Sequence, residues 1–317
     1  PMASEIFRTG LAVLKLGHAV WDPHPNGLYK RVEIGHVGYF DDGAFTPLFN
    51  VLKEAKDSSH SRWGVPHDFE RLVLPGDPLR VKSPLPPGAY HSESVQELSA
   101  SASAHAELTF SCTKEKGAVL VLPDSAHRED AFYPKMFKDH MLKHYRSWYE
   151  FAVHQCGCEI KVSDLVLVTG CHMTTKWAMA AFSNSDVRAS GSFGAGIPGG
   201  VSAKFSLSGG WSTSRFVHHH SGPQPSFLGT KAQGSSNPDG SEEDDRNQCV
   251  FLRGYRVMER RFLGPKVIEA AADPQNLGHE GPEQGDTAVP CEGGETEDEI
   301  MPLSEIPKVS EFHCYRL

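Results

Sequence analysis

The run Val201-Ser202-Ala203-Lys204-Phe205-Ser206-Leu207-Ser208 alternates apolar and polar residues without a break. A strand turns successive side chains to opposite faces, so this pattern fits extended backbone and no helix. Val201, Ala203, Phe205 and Leu207 share one face, and the serines and Lys204 share the other. Two further stretches carry strand patterns. Residues 164–183 open on the apolar run Leu165–Val168. They then alternate Cys171, Met173, Trp177 and Met179 against His172, Thr174 and Lys176. Residues 248–260 form the third, through Phe251, Arg253, Tyr255 and Arg256. Half-buried, two-faced strands of this kind belong to antiparallel sheets and argue against a nucleotide-binding α/β fold.

Helical spacing is scarcer. Phe132, Met136, Phe137, Met141, Tyr145, Trp148, Tyr149 and Ala152 recur at steps of three and four, which predicts a long amphipathic helix over 130–153. Ile6, Phe7, Leu11 and Leu14 predict a short one near the start. Phe45, Leu48, Phe49 and Leu52 predict another over 44–55, with Pro47 in its first turn. Residues 58–90 are rich in Pro and Gly and are expected to be irregular. Weak and buried strands are expected at 107–112 and 118–122. Elements in blocks, without β-α-β alternation, give an α+β fold with a mainly antiparallel sheet. We expect one domain over residues 1–265, with a mobile acidic loop at 221–247. An acidic, mostly disordered tail is expected over 266–317.

Charge sharpens that division. The chain of 317 residues carries a net charge of −9. Residues 267–307 hold eleven acids and no Lys or Arg, and residues 239–245 hold five more acids and no base. The remaining body is mildly basic. An acidic tail of this kind is a solvated linker or a built-in competitor for a basic surface. Seven cysteines at irregular spacing suit a reducing compartment. No secretory signal pattern and no apolar run of membrane-spanning length is visible, so a cytoplasmic location is expected.

Motifs that carry chemistry are weak. Gly194-Ala195-Gly196-Ile197-Pro198-Gly199 fits the dinucleotide spacing, but Pro198 and a following strand replace the helix that would face the pyrophosphate. Cys171 and His172 are neighbours on a strand and point apart, so they do not make a nucleophile–base pair. His140 and His144 lie one helical turn apart, a spacing that suits two metal ligands, but no third is identifiable. His218-His219-His220 reads as exposed histidines. Arg253, Arg256, Arg260 and Arg261 interleave with Phe251 and Tyr255, a basic aromatic strand that suits phosphate. Nucleic acid is nevertheless not expected, given the acidic total.

Several phrases occur together: Glu33–Phe40, Phe45-x-x-Leu48-Phe49-Asn50, Ser147-Trp148-Tyr149, Leu167–Cys171, Lys176-Trp177-Ala178 and Asn247–Gly254. In them the chain resembles an uncharacterised protein family of mushroom-forming fungi (Agaricomycetes) over residues 5–262. The resemblance implies an intracellular fungal protein and supplies no activity. A looser likeness, in the N-terminal amphipathic piece, the Val168-Thr169-Gly170 phrase and the long two-faced strands, is to the gasdermin pore-forming domain. It implies strands able to become membrane hairpins.

The leading expectation is a non-enzymatic binding or interaction module. Its specific form is a tail-restrained, membrane-active, gasdermin-like defence protein. Its partner is an anionic membrane or another protein, and oligomerisation is compatible with it. The residues expected to meet that partner are Lys204, Phe205, Leu207, Trp211, Lys176, Trp177, Arg253 and Arg256. No cofactor is expected. The alternative is a metal-assisted hydrolase using histidine ligands, with His140 and His144 first among them.

Overall fold

The computed structural model describes residues 2–25, 29–99, 107–183, 190–194, 217–223, 246–258 and 299–302. The chain begins with helix α1 (Ala3–Leu11), whose Ile6, Phe7 and Leu11 face inward at helical spacing. Strands β1 (His18–Ala19), β2 (His36–Asp41) and β3 (Ala44–Asn50) follow. Next come β4 (Leu79–Leu85), β5 (Gly88–His91), β6 (Val95–Ser99), β7 (Glu107–Cys112), β8 (Lys116–Leu122) and β9 (Ala126–Ala131). Helix α2 (Pro134–Glu150) opens with Pro at its first turn and runs into a π-helical turn, Phe151–Gln155. Proline is tolerated there because the first amide has no intrahelical partner. The remaining strands are β10 (Val166–Thr174), β11 (Trp177–Ser183), β12 (Ser190–Gly194), β13 (Val217–Gly222), β14 (Gln248–Met258) and β15 (Glu299–Pro302).

The described strands form three sheets, and every strand pairing within them is antiparallel. In the largest, β14 pairs with β10 on one edge. Its other edge takes β1 near Leu252 and β15 from Tyr255 to Met258. β10 pairs with β2 through its first residues and with β9 through Gly170–Met173, and β4 pairs with β9 beyond. α2 seals one face of this sheet, packing Phe137, Met141, Tyr145 and Trp148 against Val37, Phe49, Leu167 and Val257. The second sheet, β13-β11-β8-β5, is covered on one face by Ile6, Phe7 and Leu11 of α1. On its other face it meets Phe110 and Cys112 of the third sheet, β12-β7-β6. The fold is thus α+β with mainly antiparallel sheets.

Three expectations need correction. Residues 44–50 are a strand, not the start of a helix: they pair with β2 across a two-residue turn at Asp42 and Gly43, with φ of 50° and 94°. Both central residues in left-handed backbone define a hairpin turn that fits strand twist, and Asp-Gly satisfies it. The apolar spacing of Phe45, Leu48 and Phe49 imitates a helix because the strand is buried on both faces near its end. Residues 79–91 form two strands within a stretch expected to be irregular. Finally, residues 166–183 are two strands in different sheets, and neither is half-exposed. His172 and Thr174 are as buried as Cys171 and Met173. In β11, Trp177, Met179 and Ala181 face α1, while Ala178, Ala180 and Phe182 face the third sheet.

The run 201–208 and most of the loop 221–247 lie outside the described residues. Within 266–317 the described piece is β15, which returns to pair with β14.

Candidate functional site

Gly170 sits where β10, β9 and β14 meet, and a Cβ there would lie 2.6 Å from Asp130 Oδ1 and 2.7 Å from Arg253 Nε. The missing side chain makes room for a buried ionic cluster. Arg253 donates to Asp130 Oδ1 from Nε at 2.8 Å. Its other nitrogens donate to the carbonyls of Leu16, Glu129 and Cys171, and one lies 2.9 Å from His172 Nδ1. Asp130 also accepts from Arg128 and lies 3.4 Å from Lys82 Nζ. Alongside, Arg31 grips both oxygens of Glu129, and the Cys171 thiol points to that carboxylate at 3.8 Å.

Burial pulls the Arg253 guanidinium below its ordinary value. Burial also pushes Asp130 up, but Arg253, Arg128 and Lys82 outweigh it and hold the carboxyl below the usual range. Burial, with Arg253 and Arg128 nearby, drives His172 down to about 3, so the ring is neutral. Burial drives the Cys171 thiol well up, which keeps it from becoming a thiolate. The cluster therefore ties three strands together, and its groups are spent on one another.

The candidate residues from the sequence separate in space. Arg253 is the centre of that cluster and does not face a partner. Trp177 is 1% exposed, and its Nε1–H donates to Gln248 Oε1 at 3.0 Å. Lys176 is half-buried, 3.7 Å from Asp124. Arg256 is half-buried on β14, in register with Met301 of β15. Lys204, Phe205, Leu207 and Trp211 lie outside the described residues.

His140 and His144 are brought together on α2, with ring centroids 4.6 Å apart and Trp148 against both. Glu70 Oε2 is 3.4 Å from His144 Nε2 and is also held by Lys143. Burial and the neighbouring His144 lower His140 to about 4. Among the described residues no group of three or more His, Cys, Asp or Glu is set to hold a metal ion. The 218–220 triplet lies on β13. His218 and His219 are exposed, while His220 lies between Trp21 and Trp177 with ring centroids 4.1 and 4.9 Å away. An open depression of about 410 Å³ adjoins it, lined by Met2, Ala3, Ser4, Trp21, Asp42 and His218.

The surface that sequence reasoning missed is the ribbon of β4 and β9. Every residue of β4 from Leu79 to Pro84 is exposed. Among the described residues only β9 pairs with it. Leu79 is 40%, Val81 63% and the adjacent Phe132 52% exposed, and Arg80 lies over the Phe132 ring at 5.6 Å. The signal was the alternation Leu79-Arg80-Val81-Lys82, obscured by the prolines around it. Phe132 carried a second false cue: it fits the helical spacing of α2 but precedes the helix.

No family model, no curated protein and no solved structure matches this chain. No helix of the described residues is long and apolar enough to cross a membrane.

Proposed function

We propose that this protein is a non-enzymatic binding module that acts at an anionic membrane surface. The observation that carries the reading is the β4–β9 ribbon. It offers Leu79, Val81 and Phe132 to solvent beside Arg80, with no acid on β4 itself. Apolar side chains enter the headgroup region while cations meet lipid phosphates, and the two effects add. An ordinary edge strand keeps its solvent-facing residues polar, so exposed apolar residues here are unusual for a strand that binds nothing.

The acidic C-terminal segment acts as a restraint in this reading, since it brings negative charge back to a mildly basic body. In its pore-forming, gasdermin-like version the two-faced stretch from 201 to about 211 supplies the membrane-crossing strand, with Lys204, Phe205, Leu207 and Trp211 as its lipid and lumen contacts.

The test compares the full chain with a chain ending at Pro265, by co-sedimentation and dye release on neutral and anionic vesicles. The shortened chain is expected to bind anionic vesicles more strongly, to lose that binding in high salt, and to lose it on Val81→Asp or Phe132→Ser. Dye release by the shortened chain alone would favour the pore-forming version. Equal, negligible binding by both chains would sink the proposal.

A further inference from the structure

β14 reaches the outside of the largest sheet along one edge, where β1 covers Phe251 and Leu252. Three residues beyond Leu252, the stretch Tyr255, Arg256, Val257 and Met258 is paired with Pro302, Met301, Ile300 and Glu299. Val257 is fully buried, so the backbone of this stretch sits at the rim of the core. Backbone amides and carbonyls in such a place need partners. The strand that supplies them is only four residues long, and residues 259–298 separate it from β14 in the chain.

We infer that the β14 edge from Tyr255 to Met258 is a strand-acceptor site, whose ligand is an extended segment with acidic residues ahead of two apolar ones. The chain's own strand Glu299–Pro302 fills it here, and in the sequence Glu297 and Asp298 precede Glu299, Ile300 and Met301. The acceptor side is complementary, since β14 carries Arg256 in register with Met301, diagonal to Glu299, and no acid. Main-chain hydrogen bonds in antiparallel register give such a site its affinity, and flanking charge selects the segment. A short strand on a long connection is a replaceable occupant. A short linker would hold it at an effective concentration of about 1 mM and a long one at less, so a free segment that exceeds this or binds better displaces it. This inference concerns a different edge from the β4–β9 ribbon and does not rest on membrane binding.

The probe is a labelled peptide spanning residues 295–304, titrated by fluorescence anisotropy into the chain ending at Pro265. Saturable binding is expected there, and at least tenfold weaker binding to the full chain, where the resident segment competes. Alternate residues of an edge strand turn their N–H to the partner. Of the Ile300→Pro and Met301→Pro peptides, one is therefore expected to bind at least tenfold more weakly. A peptide of the same composition in scrambled order is expected not to bind. The inference is overturned if the shortened chain keeps a cooperative thermal transition and does not bind the peptide. It is equally overturned if the scrambled peptide and both proline peptides bind like the original. Should the shortened chain fail to fold, the full chain carrying Ile300→Pro and, separately, Met301→Pro serves instead. Amide exchange at 255–258 is then expected to rise in one of them and to be restored by added peptide. Unchanged exchange in both would overturn the inference. Loss of vesicle binding with peptide binding intact would remove the proposed function and leave this site standing.

Discussion

Arg253 carries more of this structure than any other charged residue described. It joins β14 to Asp130 and Glu129 of β9, to Cys171 and His172 of β10 and to the Leu16 carbonyl. Its side chain is 19% exposed and that of Asp130 is 13%. Removing one partner of a buried pair leaves the other uncompensated, which costs about 3–5 kcal/mol. Arg253→Ala is therefore expected to destabilise the fold by that order in urea unfolding. Arg253→Lys is expected to recover only part of it, because one ammonium cannot serve five acceptors around a planar fork. A double-mutant cycle with Asp130→Asn would separate the pair from the carbonyl bonds, since Arg128 and Lys82 remain on Asp130. Equal stabilities of Arg253→Ala and the parent would refute this account. The sequence showed Arg253 as one cation in a basic aromatic strand. Nothing in the spacing of residues could reveal that Gly170, on another strand, opens the space that draws it inward.

Among the elements, β3, β4 and α2 show what was legible and what was not. Helix α2 runs over Pro134–Glu150, narrower than the 130–153 window expected from the periodicity, since β9 takes the residues up to Ala131 and a π-helical turn those from Phe151. Strands were expected at 107–112 and 118–122, and β7 and β8 occupy them, β8 starting two residues earlier than its apolar run, which Pro123 and Asp124 end. β3 was misread because burial on both faces erases the period of two, leaving spacing that either element can produce. The turn chemistry at Asp42-Gly43 held the correct answer. Gly43 adopts φ 94°, and a Cβ there would lie 2.8 Å from the Cβ atoms of Ser4 and Trp21. Gly43→Ala is expected to cost about 1–3 kcal/mol, from the strained backbone and the crowding against α1. Thermal denaturation at neutral pH would check it, and an unchanged midpoint would count against the turn's role. β4 gives the opposite expectation. Val81→Asp and Phe132→Ser remove exposed side chains, so stability should move by no more than about 0.5 kcal/mol. That neutrality makes them clean probes of binding, and a large loss of stability in either would show that the ribbon is structural.

For the molecule as a whole, the buried histidines set the response to acid. His36 is fully buried, where its Nδ1 accepts the Glu33 amide hydrogen at 3.0 Å and its ring packs edge-on against Tyr29. Burial, with Lys53, His60 and Arg31 nearby, lowers it to about 3. His172 is 1% exposed and is likewise lowered to about 3. Both rings are neutral in the fold but gain a proton near pH 6.5 once unfolded. The unfolded chain therefore binds more protons below pH 6.5, and stability falls as pH falls. The full contribution is present above pH 6.5 and drains away down to about pH 3. Each ring costs about 1.4 kcal/mol per pH unit inside that window. The two together give about 2.8 kcal/mol between pH 6 and pH 5, against a total stability of roughly 5–15 kcal/mol for a domain. The buried ionic cluster works in a lower window, since Asp130 keeps its charge below the usual carboxylate range. Acid unfolding is thus expected to begin between pH 6 and pH 5, before carboxylates titrate. Urea midpoints at pH 7, 6 and 5 would measure the slope. His172→Gln should reduce the slope by about 1.4 kcal/mol per pH unit whatever it does to stability at pH 7, because an amide takes up no proton, while the lowered His18, His36 and His140 keep their share. A parent profile flat from pH 7 to pH 5 would mean that these rings are hydrated and free to titrate, and the packing described around them would have to be abandoned.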